Sequence, residues 1–282
     1  MYRFKYIKIQ TKYFVPGDPY EQIIVDAIKG KIQNNDILVL SEKALSTALG
    51  YIADESKIKA GLFAKLIVLF WMRIIWPYFL AKLAKLIPKT INRLRQYPIE
   101  YGSKHKQLAL WRVGFLQALR HYSEGGIDGS NLPYAYVALP LKDANNIAIK
   151  IRNAIKNKLG INVTVIIVDG DTTYSWGNFH LAPRKVYVKG LFHFGGFLAF
   201  LIGRMFNGKR SNTPIAVCGK KLPLPLLLKI SRRAHKIRGY GAGLTVWDMV
   251  NRFQTAIDGV TLSMLMSVPH YPIVIVHPYK KV

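Results

Sequence analysis

Cysteine is almost absent from this sequence. Cys218 stands alone among 282 residues, which excludes an internal disulfide framework, a cysteine zinc cage and a CxxC redox pair. Acid is scarce as well: 15 Asp+Glu face 41 Lys+Arg, for a net charge of +26. That imbalance predicts attraction to something anionic, whether phosphate, nucleotide, nucleic acid or a membrane face, without choosing among them. Internal repeats, low-complexity tracts and a conventional linker are missing. So is a signal-peptide hydrophobic region at the N-terminus, and the chain therefore reads as intracellular and cytoplasmic. No zinc finger, RNP1 or KH loop occurs, and the basic residues spread along the chain, so a nucleic-acid partner is disfavoured. His105, His121, His180 and His193 lack metal-ligand spacing such as HExxH and read as structural. Ser46 and Ser175 sit in no nucleophile elbow.

Half of the residues are hydrophobic, enough for a buried core in one large domain or two modest ones. The pattern is α/β. Asp18, Pro19 and Glu21 signal a helix start with Asp18 as N-cap, and Ile23, Ile24, Ala27 and Ile28 supply its apolar face. The run Asp36 to Ser41 fits a short buried strand. After Pro98 come a helical stretch holding His105 through His121, a strand in YAYVALPL, and a helix from Asp143 to Gly160. Asn162 to Asp169 is the clearest strand, β-branched throughout, and it delivers Asp169 at its carboxyl end, where ligands sit in open α/β sheets. Later segments repeat the pattern: an apolar helix at 195–204, the strand TPIAVCG, the helix LLLKISRRAHKI, the helix TVWDMVNRF and a closing strand PIVIVH.

Residues 59–97 differ in character. Leu66 to Ala81 is a 16-residue apolar run interrupted by Arg73 and Pro77 and flanked by Lys65, Lys82, Lys85 and Lys89. A clean bilayer span needs about 20 apolar residues, and a mid-depth Arg is costly. The stretch reads as a membrane-surface helix or re-entrant hairpin, with Trp71, Trp76 and Tyr78 suited to the interface. A helical insert buried in the core or in a dimer is the alternative. The chain thus divides into 1–58 and 98–282, two parts of one α/β domain, with 59–97 as a hydrophobic, lysine-flanked helical insert.

Because acids are so few, their clusters call for a reason. Glu124 and Asp128 lie in SEGGIDGSN, whose glycines permit close backbone approach while Asp128, Ser130 and Asn131 offer oxygens and an amide. This suits a hard divalent cation with attached phosphates, although an Asx-rich turn has the same composition. Asp169 and Asp171 emerge two residues apart from an apolar strand in VDGDTTY, followed by Thr172. Bound cations would relieve their repulsion and desolvation. Together the two stretches point to a Mg/Mn–nucleotide site. The glycine loop RGYGAG, with Thr245 as a cap for the next helix, and the basic cluster GRMFNGKR are weaker candidates for phosphate.

VPGD, LVLSEKALSTALGYI, GGIDGSNLP followed by LPLKD, and VIIVD occur in this order, and the series resembles the coenzyme F420-0:L-glutamate ligase family, the gamma-glutamyl ligases. HKQ, DxDxTY, IGR and GAGxTVWDM bring it closest to an archaeal branch. The matching segments span about residues 13–50 and 105–253. The resemblance implies a mixed-sheet α/β fold, an intertwined homodimer, and a GTP- and Mg²⁺- or Mn²⁺-dependent amide ligation that adds glutamate to an F420-0-like acceptor through an acyl phosphate. It implies that Asp128 and Asp169 hold a metal, with Asp171 or Thr172 standing in for the family's Thr after the second Asp. It also implies that Asn131 contacts the nucleotide and that Lys43 and Ser46 lie near its phosphates, Lys43 and Asp128 being the catalytic pair. Three departures stand out. The family's SKAEG is here STALG, placing Thr47 and Leu49 where Lys and Glu are usual. DGDTTYSWGN replaces DT-x-GR. Gly203 and Arg204, aligned with a nucleotide-binding Gly-Glu that helps hold a second metal, put a guanidinium where a ligand is expected. Leu49 and Arg204 favour, as an alternative, a non-catalytic membrane-associated nucleotide-binding paralogue; on either reading the insert would allow docking on the inner face of the membrane.

Overall fold

The computed structural model describes residues 2–280. Nine strands form in chain order: β1 (Tyr2–Thr11), β2 (Ile37–Ser41), β3 (Ile52–Asp54), β4 (Tyr136–Ala138), β5 (Thr164–Trp176), β6 (Phe179–Ala182), β7 (Phe192–His193), β8 (Lys209–Cys218) and β9 (His270–Lys280). Seven of them build one mixed sheet in the order β1-β9-β2-β5-β6-β7, with β8 along the other edge of β5; β3 and β4 pair separately. Only β2–β5 and β6–β7 are parallel.

Alternation along the strands splits the core between two faces. Leu38, Leu40, Val165, Ile167, Ile273 and Ile275 point to one face. It is covered by α1 (Tyr20–Ile28), α2 (Glu42–Ala48) and a long helix at Ala144–Leu159. Ile37, Val39, Ile166, Val168, Val274 and Val276 point to the other, where Leu227, Ile230 and Ala234 of the helix Leu224–Arg238 cover them. This is the three-layer arrangement that a sheet with two apolar faces requires. The expected α/β class is what forms.

Several local expectations need correction. Asp18 does not cap α1: its Oδ2 accepts the Val15 N–H at 2.8 Å, closing the VPGD turn, and the helix opens at Tyr20 after Pro19. The stretch His105–His121 is not one helix, because Gly114, at φ +91°, breaks it between Arg112 and Phe115. Nor does β5 end at Asp169. It continues to Trp176, with its register shifting between Asp169 and Thr172. The parallel pairing with β2 does stop there, at Ser41 opposite Val168. Asp169 therefore lies just past the carboxyl end of β2, inside a bulge of a longer strand.

The apolar run of the insert lies in one helix, α3 (Leu62–Leu83), whose middle turns from Ile67 to Leu80 are wound in the wider π form. That continuity leaves no hairpin turn within residues 66–81. A second insert helix, α4, covers Pro88–Arg95. One side of α3 is packed: Val68, Met72 and Trp76 are fully buried with Leu94, Tyr97 and Leu119, against Phe197, Phe200 and Leu201 of the helix Phe197–Met205. Trp71 and Trp76 both donate their indole N–H to the Leu119 carbonyl, at 2.7 and 2.8 Å. The other side of α3 is exposed.

Candidate functional site

A pocket opens beyond the carboxyl end of β2, the position open α/β sheets favour for ligands. Its floor includes Ser41, Lys43 and Thr47 from β2 and α2, Asp128, Ser130 and Asn131 from the glycine-bearing loop, and Asp169 and Gly170 from the bulge. The opposite wall comes from far along the chain: His235, Arg238, Tyr240, His270 and Tyr271.

Lys43 is the hub. Its Nζ donates to Asp128 Oδ2 at 2.8 Å, to the Ser130 carbonyl at 2.8 Å and to Ser130 Oγ at 2.6 Å. Asp128 Oδ1 accepts the Ser130 N–H at 2.7 Å. Burial works against ionising Asp128, but Lys43 and the Ser130 bonds outweigh it and hold its pKa below the usual carboxylate range. Asp169 Oδ2 takes Nη1 of Arg184 at 2.5 Å, and the same guanidinium holds Glu42, with Nη2 at 3.0 Å from Oε1. Arg184 is thus a buried clamp that fixes Asp169 against the root of α2.

The expected site residues divide. Lys43, Asp128, Asn131 and Asp169 are brought together. Asn131 organises the glycine loop: its Nδ2 donates to the Tyr240 and Gly243 carbonyls at 3.0 and 2.9 Å, and its Oδ1 accepts the Ala242 N–H at 2.6 Å. Those bonds engage both ends of the amide in holding the RGYGAG loop. Ser46 does not reach the pocket; it is fully buried, with Oγ unpartnered. Asp171 is absent from the lining too. The bulge re-aims it, and it forms a buried bidentate pair with Arg120, at 2.5 and 2.7 Å. Thr172 follows it along β5, its N–H donating to Asp171 Oδ1 at 2.7 Å. Gly203 and Arg204 lie on the insert's side of the fold: Gly203 abuts the Tyr174 ring, and Arg204 donates to the Ala84 and Lys85 carbonyls, both at 2.6 Å. Arg204 thus caps the end of α3. Among the described residues, no group of three or more His, Cys, Asp or Glu side chains is arranged to hold a metal.

Glu124, the other acid of SEGGIDGSN, belongs to a buried network behind the pocket. Lys106, fully buried, donates to Glu124 Oε1 and to the Arg120 carbonyl, each at 2.5 Å. His105 bridges Glu55 Oε1 at 2.6 Å and Glu124 Oε2 at 3.1 Å. Burial alone would lower the His105 pKa, but the two carboxylates prevail and raise it to about 10. A group whose pKa rises from 6.5 to about 10 on folding stabilises the fold fully below about pH 6.5 and loses that contribution as pH climbs through 10. His105→Gln is therefore expected to melt below the parent protein near pH 6, with the gap closing as pH rises. Thermal melts of both proteins across that window check this.

Sequence reasoning missed Arg184, Glu42 and the histidines of the second wall; Arg238 opens the glycine loop that it did single out. Glu42, one of only 15 acids and adjacent to Lys43, could have been flagged on scarcity. Arg184 carried no local signal. Arg238 sits in the pocket with His235 Nδ1 as its partner, at 2.9 Å, and forms no ion pair among the described residues. Burial lowers its pKa to about 10, so it stays cationic at neutral pH. Burial and Arg238 together depress the His235 pKa to about 3, leaving a neutral imidazole beside it.

The model of the F420-0:Gamma-glutamyl ligase family matches residues 8–189, a stretch that contains Lys43, Asp128 and Asp169. The chain belongs to that family. It is also 33% identical to an uncharacterized protein of Methanocaldococcus jannaschii, over 95% of this chain and 94% of that one. The gamma-glutamyl ligase match ends before the pocket's second wall. Arg238, Tyr240 and His270 are therefore contributed by the part of the chain outside it.

Proposed function

We propose that this protein is a nucleotide- and divalent-cation-dependent amide ligase that adds glutamate to an F420-0-like carboxylate acceptor, with GTP as the phosphoryl donor. The observation that carries the proposal is the Lys43–Asp128–Asp169 constellation in one pocket beyond β2, on a chain of the gamma-glutamyl ligase family.

The donor set fits one hard cation. Mg²⁺ and Mn²⁺ take oxygen ligands and are commonly held by one or two carboxylates together with substrate phosphates. Asp128 and Asp169 supply the carboxylates, and Asp169 Oδ1 accepts no hydrogen bond among the described residues. Bound there, the cation would offset charge on the nucleotide phosphates. Asp171 is spent on Arg120, so a second cation has no evident protein ligands.

In the proposed reaction an acceptor carboxylate oxygen attacks the γ-phosphorus of GTP and GDP leaves. The glutamate amine then attacks the acyl carbon, loses a proton, and inorganic phosphate departs. Lys43 carries a full positive charge to the transferring phosphoryl group, where fixed cations act most strongly. Asp128 and Ser130 hold that ammonium in place. Arg184 keeps Asp169 from swinging out. Arg238 offers a free guanidinium across the pocket for a carboxylate or phosphate. Since a charge-assisted hydrogen bond is worth about 1.5–3 kcal/mol, Arg238→Ala is expected to raise the KM of one anionic substrate by about 10–100-fold. Steady-state kinetics with each substrate varied in turn identify which one.

The direct test is a ligation assay with GTP, Mg²⁺ or Mn²⁺, glutamate and F420-0, read by mass spectrometry. A glutamate-sized mass gain supports the ligase. Metal-dependent nucleotide binding without product supports the second reading, a non-catalytic nucleotide-binding paralogue. That reading is favoured by Arg204, which stands where the resemblance expects a second-metal ligand and instead donates to the Ala84 and Lys85 carbonyls at the end of α3.

A further inference from the structure

We propose that the exposed side of α3, with the segments beside it, docks on the surface of an anionic lipid bilayer, the helix lying along the membrane and not through it. This inference is independent of the ligase reading.

The apolar face is larger than the insert. Along α3, Phe63, Phe70, Tyr78 and Phe79 are each more than half exposed. Two other segments extend the surface. Phe63 stacks on Phe115, at 5.8 Å between ring centroids, and Phe115 is itself about half exposed. The helix Phe197–Met205 packs on α3 through Phe197, whose ring meets Trp71 edge-on at 5.2 Å, and it leaves Ile202, Met205 and the following Phe206 exposed. Lys85 Nζ donates to Asn207 Oδ1 at 2.5 Å, tying the end of that helix to the end of α3. An isolated exposed phenylalanine is ordinary, but a contiguous surface drawn from separate segments marks an interaction site.

Charge selects the occupant. No Asp or Glu lies between Glu55 and Glu100, or between Asp171 and Asp248, the two stretches that supply most of this face. Exposed Lys65, Lys82, Lys85 and Arg95 flank the apolar side chains. Aromatic residues beside basic ones are the composition of helices that bind anionic membrane surfaces. A second copy docked by the same patch would set these cations against their own equivalents. Spanning is opposed by packing: Val68, Met72 and Trp76 face protein, both tryptophans are bonded to Leu119, and Arg73 donates to the Arg95 carbonyl at 3.0 Å.

The test is co-sedimentation of the full chain with vesicles of phosphatidylcholine alone or mixed with phosphatidylglycerol. Partition onto the anionic vesicles is expected to be at least about tenfold stronger and to weaken in high salt. A Phe70→Glu/Phe79→Glu variant is expected to lose at least about tenfold of that partition. Lys82→Glu/Lys85→Glu should reach a similar loss through charge alone, and circular dichroism should show both variants folded. Three outcomes overturn the proposal. In one, the chain stays in the supernatant with both kinds of vesicle. In another, it forms a dimer that the Phe70/Phe79 variant dissolves, which makes this face a subunit interface. In the third, it resists alkaline carbonate extraction from membranes, which makes α3 a span.

Discussion

Asp128→Ala is expected to fold normally and to lose ligation by about 10²–10³-fold, the scale seen when a preorganised charge is removed from a phosphoryl- or acyl-transfer site. The side chain rims the pocket instead of filling core, so little packing is lost. Its two oxygens hold Lys43 and the Ser130 N–H. Without them the ammonium keeps only Ser130 as a partner, and the cation proposed for the pocket loses one of its two carboxylates. Both losses fall on the transferring phosphoryl group, so kcat should drop more than the KM for glutamate rises. Mass-spectrometric turnover with the parent protein in parallel checks this. An Asp128→Ala protein retaining more than a tenth of parental turnover would falsify the assigned role.

Asp171→Ala should do the reverse. Asp171 and Arg120 form a bidentate pair in which both side chains are almost wholly buried. Removing one partner strands a guanidinium, which costs about 3–5 kcal/mol. For a chain of this size that lowers Tm by on the order of 10 °C. Below its melting point the variant should keep the parental metal-concentration dependence, because its carboxylate never faced the pocket. Asp169→Ala, two residues earlier, should shift that dependence. A pair of titrations with Mn²⁺, one on each variant, separates them. If Asp171→Ala moves the metal midpoint while leaving Tm in place, the assignment of the two aspartates is reversed.

Those two aspartates show where sequence reading ends. The apolar run before Asp169 announced the strand and its buried partners, and the pocket beyond β2 followed from general α/β geometry. The continuation of β5 did not, because Gly170 between two acids has the composition of a turn. Only the pairing with β8 reveals a bulge that sends Asp169 and Asp171 to different guanidiniums. His105 was equally opaque. A lone histidine says little, and one of its partners, Glu55, lies fifty residues away. Lys43 and Asp128 were readable through the family resemblance, as was the mixed-sheet α/β architecture. Arg238 stood in a loop flagged for its glycines, yet a pocket cation without an ion-pair partner is a property of three dimensions. Arg204 shows the opposite failure: position in the sequence suggested a ligand contact, while packing sets its guanidinium on two carbonyls at the end of a helix.

The position of β9 in the sheet carries a consequence for biogenesis. It lies between β1 and β2, pairing with Lys8 and Ile9 on one side and with Val39 and Leu40 on the other. During synthesis β1 lacks its described partner until residues 270–280 leave the ribosome, and β2 keeps one bare edge for as long. Pairings this distant in sequence form slowly, and unpaired edges invite association between chains. The nascent protein is therefore most vulnerable until β9 has emerged. A ribosome stalled near residue 265 should present an aggregation-prone, chaperone-bound intermediate that the eleven-residue β9 converts, in one cooperative step, into the native sheet.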